Sequence, residues 1–176
     1  DRAEVTARVI AEANGPFAEA LLANAGAMSG VQEGYYAEND GGLVGRVVQV
    51  GNRSSRLLKI TDFNSRVPVI GESSGLRAIM AGGRDGNGRL LDQPEEGKFY
   101  VGERILTSGE GGLYPRGILV GVVLEAEGAS RVALSMRRGQ LGYLRLKPAL
   151  RITPPEADPV NPQSASLQAA EDRGAP

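Results

Sequence analysis

The side chains available for chemistry are set by what is missing: the 176 residues include no His, no Cys and no Trp. A Ser-His-Asp triad, a thiol nucleophile, an ordinary zinc site and a disulfide framework are thereby excluded. Carboxylates, hydroxyls and three lysines, Lys59, Lys98 and Lys147, remain. Glu95 and Glu96, between Pro94 and Gly97, read as exposed loop charges rather than an acid–base pair. Glu125 and Glu127 alternate along one strand face, as charges that protect a sheet edge do. Thr107-Ser108-Gly109 offers hydroxyls that only a lysine could activate, and Lys59, in an alternating strand, is expected to face water. The run Thr107 to Gly112 lacks the lysine and the following helix of a phosphate cradle and reads as a tight β connection. Asp85-Gly86-Asn87-Gly88 crowds oxygen ligands together without the closing Glu of a calcium loop, so it reads as a turn. No catalytic set, metal or cofactor is implied.

Charge narrows the partners. Lys+Arg total 20 and Asp+Glu 21, a net charge of -1, without the basic excess of a general nucleic-acid binder. Arg53, Arg56 and Arg66 are not interleaved with aromatics, which make up only 5% of the chain, so they read as solvated surface. No stretch is long and apolar enough to span a membrane, and the first residue is Asp1, as in a fragment or processed product.

The elements that would position any site are short strands punctuated by glycine. Apolar or alternating runs occur at Val5–Ile10, Leu43–Val50, Arg56–Thr61, Arg66–Ile70, Leu76–Met80, Gly88–Leu91, Arg104–Thr107, Gly117–Leu124, Arg131–Met136 and Tyr143–Ile152. Ala18–Leu22 fits strand or helix, and Ala18–Met28 is the only weak helical candidate. Asn39-Asp40-Gly41-Gly42 and Asp85-Gly86-Asn87-Gly88 are hairpin turns, since Asn, Asp and Gly tolerate positive φ. The expectation is an all-β protein of antiparallel barrels or sandwiches, one or two in number. Thr61-Asp62-Phe63-Asn64-Ser65 reads as a corner or boundary, placing a first domain at 1–63 and a second at 64–150, with the last strand able to return to the first. From Thr153 the chain carries five of its ten prolines and the charges Glu156, Asp158, Glu171, Asp172 and Arg173, net -3. The tail 151–176 is expected to be disordered.

Two segments go further. Gly42-Leu43-Val44-Gly45-Arg46-Val47-Val48-Gln49-Val50-Gly51 leads to Ser54-Ser55-Arg56 and Thr61-Asp62, then Asn64-Ser65-Arg66. Val101-Gly102-Glu103-Arg104-Ile105-Leu106-Thr107-Ser108-Gly109 leads to Tyr114-Pro115-Arg116-Gly117. In order and spacing these resemble the rod shape-determining protein MreC family, over about Ala3 to Leu150. The resemblance implies two small antiparallel β-barrel domains of the trypsin type without catalytic groups. It implies a non-enzymatic scaffold of the bacterial cell-elongation complex that regulates peptidoglycan synthesis through a class B penicillin-binding transpeptidase. It implies links to MreD, RodA and the MreB cytoskeleton, self-association into dimers or filaments, and a periplasmic location. The membrane would be reached only through an N-terminal helix that this chain lacks. Phe63 stands where the family commonly has proline, and the tail is outside the resemblance.

Within those motifs, Gly42, Gly45, Arg46, Ser55, Asp62, Asn64, Thr107, Ser108, Gly109, Pro115 and Gly117 are expected to shape strands and turns. Tyr35, Tyr36, Phe63, Tyr100, Tyr114 and Tyr143 are the candidates for a partner interface, where aromatic groups concentrate binding energy. A strand edge is a second way to take a partner, by β-addition. The rival readings are a carboxylate-dependent wall hydrolase, which needs two acids facing across a cleft, and a glycan-binding module, which needs a groove lined by aromatic rings.

Overall fold

Alternation sets the strands, and closure sets the fold. The computed structural model describes residues 4–15, 18–125, 130–136 and 141–149. Glu127 and the tail 151–176, both the subject of expectations above, lie outside the described residues. Twelve strands run in chain order: β1 Val5–Asn14, β2 Glu19–Ala23, β3 Tyr36–Asn39, β4 Gly42–Val50, β5 Ser55–Lys59, β6 Val67–Gly71, β7 Arg77–Gly82, β8 Gly88–Leu91, β9 Arg104–Thr107, β10 Leu119–Glu125, β11 Arg131–Leu134 and β12 Tyr143–Lys147. They form two closed six-stranded barrels, in the order β1-β12-β3-β4-β5-β2 and β10-β11-β8-β7-β6-β9, with every pairing antiparallel.

Pairing, not sequence order, assigns strands to barrels. The crossover at Ile60–Arg66 separates β5 from β6, but β12 returns to lie between β1 and β3, with Leu146 opposite both Val5 and Ala37. A contiguous second unit over 64–150 therefore does not describe the pairing, because the first barrel draws on both ends of the chain. Closure also corrects the strand-edge expectation. Each barrel strand has a hydrogen-bonded neighbour on both sides, so among the described residues no whole strand offers an edge for β-addition.

The period-2 pattern puts branched and aliphatic residues inside. In β6, Val67 and Val69 are buried while Pro68 and Ile70 are half-covered. Leu21, Leu43, Leu57, Leu144 and Leu146 fill the first barrel, and Met80, Leu90, Ile105, Val120 and Val132 the second. Burying each such side chain contributes roughly 1.5–3 kcal/mol. The two sets form one continuous apolar cluster.

Three local expectations change. Ala18–Met28 is not helical: β2 is held between β1 and β5, and only Ala27–Ser29 turns as a 3-10 segment. Two neighbouring strands satisfy the backbone there better than one marginal helix could. The four-residue β3 has no sequence counterpart among the runs above, because Tyr36-Ala37-Glu38-Asn39 is too short to show alternation. Lys59 does not face water. It shares the buried face of β5 with Ser55 and Leu57, where its Nζ meets the Asn14 side chain and lies 3.5 Å from Glu12 Oε1. Those polar partners on β1 make an inward lysine tolerable.

Two glycines allow strands to approach where a side chain would collide. A Cβ on Gly45 would strike Leu58 O across the β4–β5 pair. A Cβ on Gly82 would strike the carbonyls of Thr61 and Asp62, so the end of β7 lies directly against the crossover.

Candidate interaction surface

The crossover between barrels is built around Asp62. The carboxylate is buried, and both oxygens accept backbone N–H groups: Oδ1 from Asn64 at 2.7 Å and Oδ2 from Glu19 at 2.8 Å. The Asp62 carbonyl accepts from Ser65 at 3.0 Å and from Gly82 at 3.2 Å. One residue thus ties the start of β2 in the first barrel to its own turn and to the end of β7 in the second. Asn64 takes part through its backbone N–H, and its side chain is exposed. The barrels also touch at Gly42, where a Cβ would lie 2.5 Å from Leu119 O of β10. Arg46 of β4, half-buried, lies near enough to Tyr114 to act on its hydroxyl. Burial pushes that hydroxyl up to about 12, with the Arg46 charge pulling the other way.

The loop after β9 is fastened by Thr107. Its hydroxyl donates to Pro115 O at 2.5 Å and accepts from Ile118 N–H at 2.9 Å, while its carbonyl accepts from Gly117 at 2.9 Å. Gly109 at φ 80° and Gly117 at φ 95° hold turns that a side chain would strain. Ser108 Oγ accepts from Glu110 N–H at 3.3 Å. These hydroxyls serve the loop, and among the described residues no lysine bonds to either. Ser55 is buried, and its Oγ has no partner.

A second buried carboxylate has no counterpart in the sequence reading. Glu103 Oε1 accepts from Ser73 N–H at 3.2 Å, Ser74 N–H at 3.0 Å and Ser74 Oγ at 3.0 Å, and Oε2 accepts from Tyr100 N–H at 2.6 Å. It knits the β6–β7 turn to the loop before β9. A Gly-Glu pair before an apolar strand carried no signal of this.

The six aromatic candidates divide evenly. Tyr35, Tyr36 and Tyr114 are buried at 6%, 8% and 3% exposure, which corrects their assignment to an interface: their rings pack in the core. Burial and the neighbouring Glu38 raise the Tyr36 hydroxyl above its ordinary range. Phe63, Tyr100 and Tyr143 are exposed at 50%, 60% and 65%. Phe63 and Tyr143 line different clefts. Phe63 lines an opening of about 660 Å³ between the β1–β2 turn, the crossover and the β7–β8 loop, with Asn14, Glu19, Thr61, Asp62 and Arg84. The Arg89 guanidinium stacks on the Phe63 ring, 4.4 Å from its centroid. Tyr143 lines a separate cleft of about 540 Å³ with Thr6, Asn39 and Asp40. Tyr100 continues into exposed Val101, beside exposed Leu124 through the Gly102 N–H to Val123 O bond of 2.8 Å. Val101 and Leu124 were not among the candidates, since an apolar residue at a strand end does not announce its exposure.

The rival chemistries have little to work with. Of the two acids at the larger cleft, Asp62 has both oxygens occupied by backbone N–H groups, while Glu19 keeps a buried Oε2 without a hydrogen-bond partner. Glu125 is paired with Arg131 at 3.0 Å, and Glu95 and Glu96 are exposed. Asp85 is held below the usual carboxylate range, first by Asn87 N–H, and its Oδ2 meets Arg131 at 2.8 Å. Among the described residues no three acidic side chains cluster as metal ligands, and no helix is long and apolar enough to cross a membrane.

A family profile described as "Rod shape-determining protein MreC, barrel core" matches residues 9–142. The chain belongs to the MreC family. The cell shape-determining protein MreC of Cereibacter sphaeroides is 38% identical over 145 residues, covering 81% of this chain and 48% of that protein. The Caulobacter vibrioides MreC is 39% identical over 141 residues, covering 80% and 41%. The chain thus spans less than half the length of either relative. Both are named as determinants of cell shape, not as enzymes. The double-barrel fold recurs in a solved structure described as the major periplasmic domain of the cell shape-determining filament MreC, with a TM-score of 0.73, 21% identity and coverage of 82% and 96%. It recurs again in a complex between a penicillin-binding protein and MreC from Helicobacter pylori, with a TM-score of 0.67, 12% identity and coverage of 82% and 97%.

Proposed function

We propose that this chain is the extracytoplasmic, non-enzymatic part of a cell-elongation scaffold. It binds a class B penicillin-binding transpeptidase and biases peptidoglycan synthesis by position rather than by chemistry. In this reading the longer protein is anchored in the inner membrane, is linked to MreD, RodA and MreB, and self-associates. The observation that carries it is the shared fold: an MreC with the same pair of barrels has been solved bound to a penicillin-binding protein. The filament description of another relative supports self-association. The absence of a free whole strand among the described residues supports contact through side chains, and Phe63, Tyr100 with Val101, and Tyr143 are the exposed groups to test.

The test is a titration of the chain against the soluble periplasmic part of the transpeptidase from the same organism, beside sedimentation of the chain alone. Saturable binding, weakened in one of Phe63→Glu, Tyr100→Glu or Tyr143→Glu, is expected. A folded chain that neither binds nor self-associates would reject the proposal. Turnover of purified peptidoglycan would favour the hydrolase instead.

A further inference from the structure

The larger cleft is lined by two residues whose polar atoms the fold leaves unanswered. Glu19 Oε2 and Thr61 Oγ1 are both buried, and neither has a hydrogen-bond partner. Thr61 as a whole is only 7% exposed. A buried donor or acceptor without a partner is a standing cost that an arriving polar group relieves. Three more such atoms occur among the described residues, Asn39 Nδ2, Ser55 Oγ and Arg131 Nε. Ser55 and Arg131 line neither cleft. Asn39 lines the smaller one, where the charged groups already answer each other, Arg145 meeting Asp40 at 2.9 Å. Only the larger cleft combines such residues from two elements, the start of β2 and the crossover.

The rest of the lining selects the ligand. Asn14 and Asn64 are exposed amides, Arg84 is an exposed guanidinium, and Phe63 offers a half-exposed ring with Arg89 stacked on it. Glu19 and Asp62 bring negative charge and Arg84 positive, so the cleft is built for neither an anion nor a cation alone. A neutral ligand dense in hydroxyls fits this mixture. Each hydroxyl donates once and accepts twice, which suits a carboxylate, a threonine, two amides and a guanidinium together. The C–H face of a pyranose supplies the apolar surface that packs on an aromatic ring. The opening, about 660 Å³, is within the ~300–1,000 Å³ of small-molecule sites. We propose that this cleft is a glycan subsite: sugar hydroxyls donate to Glu19 Oε2 and pair with Thr61 Oγ1, and a sugar ring packs against Phe63. Binding there is without cleavage, since hydrolysis needs two free acids and both Asp62 oxygens are taken by backbone N–H groups. In the extracytoplasmic setting proposed above the glycan at hand is the peptidoglycan backbone, and that choice of sugar rests on that reading.

The probe is chitotetraose, a chain of β-1,4-linked N-acetylglucosamine without peptide, titrated into the isotope-labelled full chain and followed by amide shifts. Saturable shifts are expected at Asn14, Glu19, Thr61 and Asn64, with Thr6 and Tyr143 at the smaller cleft unmoved. Glu19→Ala should weaken binding roughly tenfold, the effect of one hydrogen bond to a charged group. The Glu19 backbone N–H still reaches Asp62 in that variant, so the tie between β2 and the crossover stays. Thr61→Val keeps the side-chain shape, removes the hydroxyl and should weaken binding severalfold while the fold is at least as stable. Affinity unchanged in both variants would leave the two atoms to water alone and overturn the proposal. So would the lack of saturation at tens of millimolar, shifts confined to the smaller cleft, or equal shifts with glycerol at the same hydroxyl concentration. The titration contains no transpeptidase, so its failure and the failure of the scaffold reading are separate results.

Discussion

Asp62 and Glu103 are both buried carboxylates without a cationic partner, and both are satisfied by backbone N–H groups. They differ in what they join. Glu103 gathers four donors from two loops of the second barrel, all within that barrel. Asp62 has fewer donors, but they come from its own turn and from the first barrel, and its carbonyl receives Gly82 from the second. The same chemistry therefore does two jobs: one carboxylate consolidates a barrel, the other sets one barrel against its neighbour. A charge-assisted hydrogen bond contributes about 1.5–3 kcal/mol, and a buried donor left without a partner costs about 1–3 kcal/mol.

That contrast can be broken in four ways. The largest effect is expected from Glu103→Ala, which leaves three backbone amides and a hydroxyl without their acceptor. A loss of about 3–5 kcal/mol, seen as a drop in Tm of roughly 10 °C, should come with faster hydrogen exchange at Ser73, Ser74 and Tyr100 and little change in the first barrel. Asp62→Ala should cost about 2–4 kcal/mol and expose the amides of Glu19 and Asn64 to exchange. Unlike Glu103→Ala, it should also change how the barrels are oriented. Asp62→Asn, which keeps one acceptor, should lose about half as much.

Third comes Tyr114, the buried hydroxyl near Arg46 at the junction. Its acidity in the fold is pushed up to about 12 from the ordinary 10. Burial favours the neutral form, so this contribution is complete below pH 10 and is lost as pH rises from 10 to 12. Stability followed by denaturant titration should fall by about 2–3 kcal/mol across that window, and Tyr114→Phe should flatten the fall. The smallest effect belongs to the exposed ion pairs. Arg131→Ala breaks contacts of 2.8 Å to Asp85 and 3.0 Å to Glu125, yet should cost less than about 1 kcal/mol, because solvent screens both. A loss comparable to Asp62→Ala would erase the distinction between buried and exposed ties.

Asp62 and Glu103 also mark how far the sequence can be read. Thr61-Asp62-Phe63-Asn64 is recognisable as a turn, because Asp accepts from the amide two residues on, as it does here at 2.7 Å. The bond from Asp62 to Glu19, 43 residues earlier, depends on barrel register, which no local pattern encodes. Glu103 mixes the two kinds: Tyr100 is three residues away, whereas Ser73 and Ser74, 30 and 29 residues away, are brought to it by barrel register. Closure has the same character. The alternation of Val67 and Val69 is local, whereas the return of β12 between β1 and β3 is a matter of pairing. Lys59 and the three core tyrosines show the reverse failure. Aromatic character points the tyrosines to an interface and strand alternation points Lys59 to water, while the actual pleat and long-range partners put all four inside.

The central claim is that the crossover presents two barrels as one body, the property a positional scaffold needs. Residual dipolar couplings from the amides of both barrels test it directly. In the unaltered chain all couplings should fit a single alignment tensor, and in Asp62→Ala the couplings of the second barrel should depart from the tensor that fits the first. Two independent tensors in the unaltered chain would contradict the account.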